Sequence, residues 1–160
     1  QKTVGITFNP PTSKEIMEID PWSSKGVQNY KEICEKFGLD TIDHTKLPSP
    51  THLHRRGIIF AHRDLNNVLD ARKAGRPFGV LSGLMPSGQI HLGHKMVIDQ
   101  AKWFQDLGGD VTITIADLEA HATRGLSLEK CRKYAIEEYI SNYAGMGLNP
   151  DKTSAFIIIN

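Results

Sequence analysis

The sequence predicts an α/β protein, a parallel sheet wound with helices and preceded by a smaller mixed helix-and-strand segment. Three observations predict it. From Phe78 onward, short apolar runs alternate with amphipathic helical stretches, and the links between them are short. Glycines stand where each helical pattern stops, at 75, 108, 109 and 147. Hydrophobic residues make up 39% of the 160 and charged residues 23%, the balance of an ordinary globular domain.

The first segment, residues 1–56, reads as an α+β extension. Thr3–Phe8 has strand composition, and Pro10 and Pro11 break it. Tyr30, Ile33, Cys34 and Phe37 follow helical spacing; Asn29 with Glu32 suits the start and Gly38 the end. Lys46–Arg56 carries two prolines and reads as a loop. The second segment, 57–160, begins with a short apolar strand or turn, Gly57–His62. Asp64 then caps a helix through Ala74, with Leu65, Val68 and Leu69 inward.

The sheet follows. Its first strand lies in Phe78–Gly83 and its first crossover helix in His91–Gly109, with Met96, Val97, Ala101 and Trp103 or Phe104 on one face. The second strand is Asp110–Asp117. One long helix, Ser127–Gly147, presents Leu128, Cys131, Ala135, Tyr139 and Tyr143 as a stripe. Ser154–Asn160 is a further buried strand. The crossovers should be right-handed. A nucleotide-binding sheet usually needs a second half, and an apolar last strand left bare is an aggregation hazard. The natural protein is therefore expected to be longer.

Bulk properties exclude little. Formal net charge is +1, so no polyanion partner is implied by charge alone. Cys34 and Cys131 lack metal-site spacing and read as buried free thiols in a reducing compartment. No apolar run approaches a membrane span and no signal peptide is visible, so a soluble cytoplasmic protein is expected.

The chemistry concentrates in Val80–Phe104. Ligands of an open parallel sheet sit at the carboxyl ends of its strands. Ser82, Gly83, Pro86 and Ser87 occupy that end, and His91–His94 lies where the next helix begins. A helix N-terminus offers unpaired N–H groups and about half a positive charge, which suits phosphate. His91 and His94 are three apart and share a face on a helical turn, so both can grip one phosphate chain. Gly93 lets a ring or ribose approach the backbone. The blander reading makes the two histidines surface or packing residues. A zinc site would need a third ligand, so no metal is assigned. His52, His54 and His62 read as solvated or packing.

Those residues carry a resemblance. "PSGQIHLGH" (Pro86–His94) resembles the HIGH-type signature of class I aminoacyl-tRNA synthetases. With "IADLEA" (Ile115–Ala120), "HRRGIIFAHRDLNNVLDARKAGRPF" (His54–Phe78) and "DPWSSKGVQNYKEICEKFG" (Asp20–Gly38), the chain is similar to the N-terminal part of tryptophanyl-tRNA synthetases of archaeal and eukaryotic type. The resemblance implies the first half of a Rossmann-like doubly wound catalytic domain. It implies activation of tryptophan by ATP with magnesium, transfer of the product to tRNA(Trp), a homodimer, and a helical anticodon-binding domain further along. It makes His91 and His94 catalytic. It gives Ser82, Gly83, Pro86, Ser87, His91, Gly93 and His94 to ATP. Leu81, Thr114 and Glu119 fall to the amino acid, with Glu119 facing its ammonium group.

The second ATP signature, KMSKS, does not occur in these 160 residues, so the chain alone is expected to be inactive. Eukaryotic members read the indole N–H with a tyrosine and a glutamine where this chain has Leu81 and Thr114. Archaeal tyrosyl-tRNA synthetases share the signature but place a tyrosine at the Leu81 position to meet the substrate hydroxyl. Leucine cannot, which favours tryptophan. The alternatives are that tyrosyl enzyme, a nucleotidyltransferase that does not use tRNA, and a fragment with a binding role only. Trp22 reads either as a flap over the pocket or as a buried anchor. Arg55, Arg56, Arg63, Lys73 and Arg76 read as a solvated basic face or a phosphate contact.

Overall fold

The structure is a computed structural model and describes residues 30–157. The expected strand Thr3–Phe8, the Asn29 cap, Trp22 and the last residues of the final strand lie outside the described residues.

Two small units precede the main sheet. Helix α1 (Tyr30–Phe37) buries Ile33 and Cys34, as its spacing requires. Strand β1 (Asp40–Thr41) pairs antiparallel with β2 (Ala61–His62). Between them, the segment expected to be a loop holds a 3-10 turn (His44–Lys46) and a one-turn helix α2 (His52–Arg55). Helix α3 (Leu65–Lys73) follows β2. Asp64 precedes it as expected, but with φ of 60° and without a side-chain cap; the His62 Nδ1 accepts the Leu65 N–H at 3.3 Å instead. Leu65 and Ala71 are its buried residues, while Val68 and Leu69 are half-buried.

Strands β3 (Gly79–Leu84), β4 (Asp110–Ile115) and β5 (Thr153–Ile157) form a parallel sheet in the order 3-4-5. The register runs from Gly79 opposite Asp110 to Leu84 opposite Ile115. Parallel neighbours require a crossover. Helix α4 (Leu92–Asp106) makes the first. Helices α5 (Asp117–Arg124) and α6 (Leu128–Lys133), a π-helical segment (Tyr134–Ile140) and α7 (Ser141–Gly145) make the second.

Both crossovers pack on one face. Ile98 and Ala101 of α4 meet Val111, Ile113 and Ile115 of β4, together with Ala135, Tyr139 and Tyr143. Burying each large aliphatic side chain contributes about 1.5–3 kcal/mol. The long helix expected over Ser127–Gly147 is thus continuous but locally widened. Cys131, Ala135, Tyr139 and Tyr143 recur every four residues, and the wider π turn keeps the last three of this stripe facing inward with Cys131. Ser127 caps it, accepting the Lys130 N–H at 3.2 Å.

The other face of the sheet is bare among the described residues. Leu81 is 73% exposed and Phe156 57%. The last strand is therefore largely exposed rather than buried, because only one of its faces meets helices and only one of its edges meets a strand. Cys34 and Cys131 are free and buried, as expected.

A second apolar cluster ties the N-terminal units to α4. Trp103 and Leu107 pack with Leu65, Ile42, Leu47 and Phe78. The Trp103 indole N–H donates to the Pro48 and Ser49 carbonyls, and His54 stacks on the indole with ring centroids 4.6 Å apart. His54 is buried, and its Nδ1 accepts the Thr51 N–H at 3.2 Å. Gln105 does a similar service at the far end of α4. Its Nε2 donates to Asn149 O, Lys152 O and Thr153 Oγ1, and its Oε1 accepts from Asn149 N at 2.7 Å.

Two stability predictions arise here. A Cβ on Gly83 would stand 2.2 Å from Thr114 Oγ1 and 2.7 Å from the Thr114 carbonyl oxygen. The hydroxyl can turn away; the backbone of a paired strand cannot. Gly83→Ala is expected to destabilise the chain by about 1–3 kcal/mol in denaturant unfolding. Burial holds the His54 pKa below the ordinary value of 6.5. The unfolded chain then takes up the proton first as pH falls. His54's contribution to stability is full above about pH 6.5 and declines as pH drops through the lower folded value. Thermal unfolding between about pH 7.5 and 5 should show this decline, and His54→Gln should flatten it.

Candidate active site

The site is built where β3 ends and α4 begins. β3 delivers Ser82 and Gly83 on opposite faces of the sheet. Ser82 lies on the helix-covered face and Gly83 on the bare one. The chain then turns at Met85–Ser87, where the Ser87 N–H donates back to the Met85 carbonyl at 2.8 Å. Pro86 is buried within this turn and Ser87 is exposed.

His91 is the N-cap of α4, with extended backbone at φ −136°. It therefore does not sit on the helix proper, as the three-residue spacing suggested. The two rings nevertheless meet, with centroids 3.9 Å apart and planes inclined by 39°. The hydrogen bonds explain how. His91 Nδ1 accepts the Gly93 N–H at 3.2 Å, and His94 Nδ1 accepts the His91 N–H at 3.2 Å. Each imidazole caps the helix tip with one nitrogen.

That arrangement settles the tautomer. A neutral ring that accepts at Nδ1 carries its proton on Nε2. Both rings thus keep an Nε2–H as donor, and two of the helix-tip N–H groups are already occupied. The donors on offer are the imidazoles more than the bare helix end. Burial first, and then the neighbouring His91, hold the His94 pKa below the ordinary histidine range. That favours the neutral form of the His94 ring.

Gly93 has a role that its sequence position did not reveal. A Cβ there would lie 3.1 Å from His91 Cε1 and Nδ1. The glycine makes room for the capping ring first of all.

The expected amino-acid residues are less concentrated. Leu81 and Thr114 share the bare face, two residues out of direct register: Leu81 pairs with Thr112, and Thr114 with Gly83. Thr114 Oγ1 donates to the Ser82 carbonyl at 3.4 Å. Glu119 is not at the end of the strand. It lies in the first turn of α5 and is exposed, while its carbonyl accepts the Thr123 hydroxyl at 2.7 Å.

Two residues near this end escaped the sequence. Asp117 is fully buried at the start of α5, with Arg132 Nε 3.5 Å from its Oδ2. Tyr139 is fully buried, and its hydroxyl donates to the Met85 carbonyl at 3.0 Å. The second was visible only as one member of an apolar stripe. Its hydroxyl was the overlooked signal, because a buried phenol needs a partner.

The other candidates are dispersed. Arg63 donates to the Phe37 carbonyl at 2.7 Å and Arg55 to the Pro50 carbonyl, while Lys73 lies 3.6 Å from Asp70. These basic side chains are spent on local structure. A cleft of about 590 Å³ between β1 and α3 is lined by Asp40, Asp43, His62 and Asp70, and contains none of the site residues. Among the described residues no group of three or more His, Cys, Asp or Glu side chains is placed to hold a metal ion. No described helix is long and apolar enough to cross a membrane.

Comparison with known proteins bears on this geometry. Residues 73–160 match the family described as tRNA synthetases class I (W and Y). The chain is 46% identical over 132 residues to the tryptophan–tRNA ligase of Thermoplasma acidophilum, covering 82% of this chain and 30% of that protein. With the Methanosarcina acetivorans enzyme of the same name it shares 43% over 136 residues, 84% of this chain and 31% of the other. The crystal structure of tryptophanyl-tRNA synthetase from Aeropyrum pernix K1 superposes with a TM-score of 0.74 at 38% identity. It covers 87% of this chain and 40% of that one. The Trypanosoma brucei enzyme does so at 0.73 and 33%, covering 81% and 42%. The chain thus spans 30–42% of these relatives' lengths. These likenesses do not favour a nucleotidyltransferase that ignores tRNA. With its signature histidines capping α4 beside the parallel sheet, the chain belongs to the class I tRNA synthetases of the tryptophan and tyrosine family.

Proposed function

We propose that this chain is the ATP-gripping part of a tryptophan–tRNA ligase. The observation that carries the proposal is the stacked His91–His94 pair, which caps α4 through Nδ1 and so keeps two Nε2–H donors at the carboxyl end of β3. ATP, brought with magnesium on its phosphates, is the group that suits those donors. Ser82, Gly83, Pro86 and Ser87 shape the approach to them.

The first reaction joins tryptophan to the nucleotide. A carboxylate oxygen of tryptophan attacks the α-phosphorus, the bond to the bridging oxygen breaks, and pyrophosphate leaves. The carboxylate is ionised at neutral pH, so no side-chain base is needed. The work left to the protein is alignment and stabilisation of charge on the phosphates. The imidazole N–H groups suit that work, because they donate hydrogen bonds to phosphate oxygens. The second reaction moves the tryptophanyl group to a terminal ribose hydroxyl of tRNA(Trp), and AMP leaves.

Leu81, Thr114 and Glu119 would meet the amino acid, with Glu119 facing its ammonium group. Leu81 is an exposed aliphatic side chain on the bare sheet face and offers no hydrogen bond to a phenol. This supports tryptophan over tyrosine. The finer parts of the reading are a homodimer, a cytoplasmic setting and a division of the chain near residue 56.

The complete protein carrying this sequence should exchange pyrophosphate into ATP with tryptophan and remain at background with tyrosine. Exchange supported by tyrosine alone would transfer the proposal to that amino acid. His94→Ala should lower the exchange rate by about 10²–10³-fold, the loss typical of one preorganised donor.

A further inference from the structure

We propose that Tyr139 is a positioning residue for the ATP site, clamping the Met85–Ser87 turn and the His94 ring from the π-helical segment of the second crossover. This rests on the ATP role proposed for His91 and His94. Nothing in the signature itself points to a residue so distant in sequence.

The geometry is specific. Tyr139 is fully buried. Its hydroxyl donates to the Met85 carbonyl at 3.0 Å, across 54 positions of sequence. The Ser87 backbone N–H donates to that same carbonyl at 2.8 Å. The hydroxyl is therefore fastened to the oxygen that closes the turn carrying Pro86 and leading towards α4. Its ring meets the His94 ring edge to face, with centroids 5.7 Å apart and planes at 68°. One side chain thus holds the turn with its oxygen and the imidazole with its ring.

Packing alone does not call for this residue. A buried hydroxyl is unfavourable unless paired, and an aliphatic side chain would fill a core position more simply. The π-helical segment has the same direction of meaning. Such widened turns are strained insertions in a helix and often accompany functional sites. Here the segment Tyr134–Ile140 lets Tyr139 face the β3–α4 turn while Ala135 and Tyr143 stay in the core. Met85 is also held from the other side, where Thr123 Oγ1 lies 3.5 Å from its sulfur. The turn is gripped between α5 and the π segment, and His94 inherits that placement.

The consequence is selective. Besides its core packing, Tyr139 bonds the Met85 carbonyl and meets the His94 ring, and it neither hydrogen-bonds nor stacks on Leu81, Thr114 or Glu119. Removing its hydroxyl should loosen ATP placement and leave tryptophan binding alone.

The test uses the complete protein and two variants. In tryptophan-dependent ATP–pyrophosphate exchange, Tyr139→Phe should raise KM for ATP by roughly 3- to 10-fold, the factor associated with one buried hydrogen bond. KM for tryptophan and the unfolding temperature should stay near wild type. Tyr139→Leu, which also removes the ring, should lose more. A second readout needs no turnover: the NMR titration of the His94 ring. Tyr139→Leu should raise the His94 pKa towards the ordinary value, because it uncovers the ring, while Tyr139→Phe should leave it in place. Unaltered ATP kinetics in Tyr139→Phe overturn the proposal. So does a rise in both KM values together with a fall in unfolding temperature, which would mark a merely structural residue. If the wild-type protein shows no exchange, the function proposed above fails. The His94 titration then decides the positioning role by itself, and an unchanged titration in Tyr139→Leu sinks it.

Discussion

The parallel pairing of β3 with β4 is the constraint on which the molecule depends. Six residues run in step from Gly79 and Asp110 to Leu84 and Ile115. Parallel strands cannot be joined by a tight turn, so the chain must cross the sheet and return. That obligation places the start of α4 at the carboxyl end of β3. It also explains why Gly83 has no side chain, because Thr114 stands against it in the register. A slip of one residue would carry the apolar set of β3 and β4 to the bare face and remove the floor on which α4 packs.

At that end the donors on offer are imidazole N–H groups. His91 and His94 donate from Nε2 because their other nitrogens are held by backbone N–H groups. His94 is kept neutral by burial and by its partner ring. In the proposed role, a His94 ring without a full charge would hold a polyphosphate and still let pyrophosphate leave. The nearby buried carboxylate of Asp117 is matched by Arg132 at 3.5 Å, so it adds little field to the phosphate region.

Much of this was legible in the sequence, for identifiable reasons. The strands of the sheet read clearly because each is a short apolar run between glycine or aspartate signals; α4 read clearly as a helix, but its buried face centres on Ile98, and Val97, expected there, is exposed. His91, Gly93 and His94 were legible as a candidate site because three such residues in four positions after a turn have few structural uses. What the sequence hid depends on distance or on local geometry. The π segment hid because a four-residue apolar recurrence over Cys131–Tyr143 resembles an ordinary helical stripe. A further reason for Gly93 hid because the neighbouring His91 ring also needs the space. Glu119 was placed at a strand end, but Asp117 starts the helix two residues earlier and carries Glu119 into its first turn. The exposure of β5 hid because apolar composition predicts burial only when both faces are covered.

The Gln105 amide shows how narrowly one part of this architecture is secured. Its two N–H protons are shared among three acceptors from the segment leading into β5, and its oxygen takes a fourth contact there. Spontaneous deamidation would leave every covalent bond of the main chain intact and swap that donor for an anionic oxygen facing two carbonyls. The attraction would become repulsion at the point where the third strand is fastened. Chemical ageing of a single side chain would therefore weaken the fastening of that edge.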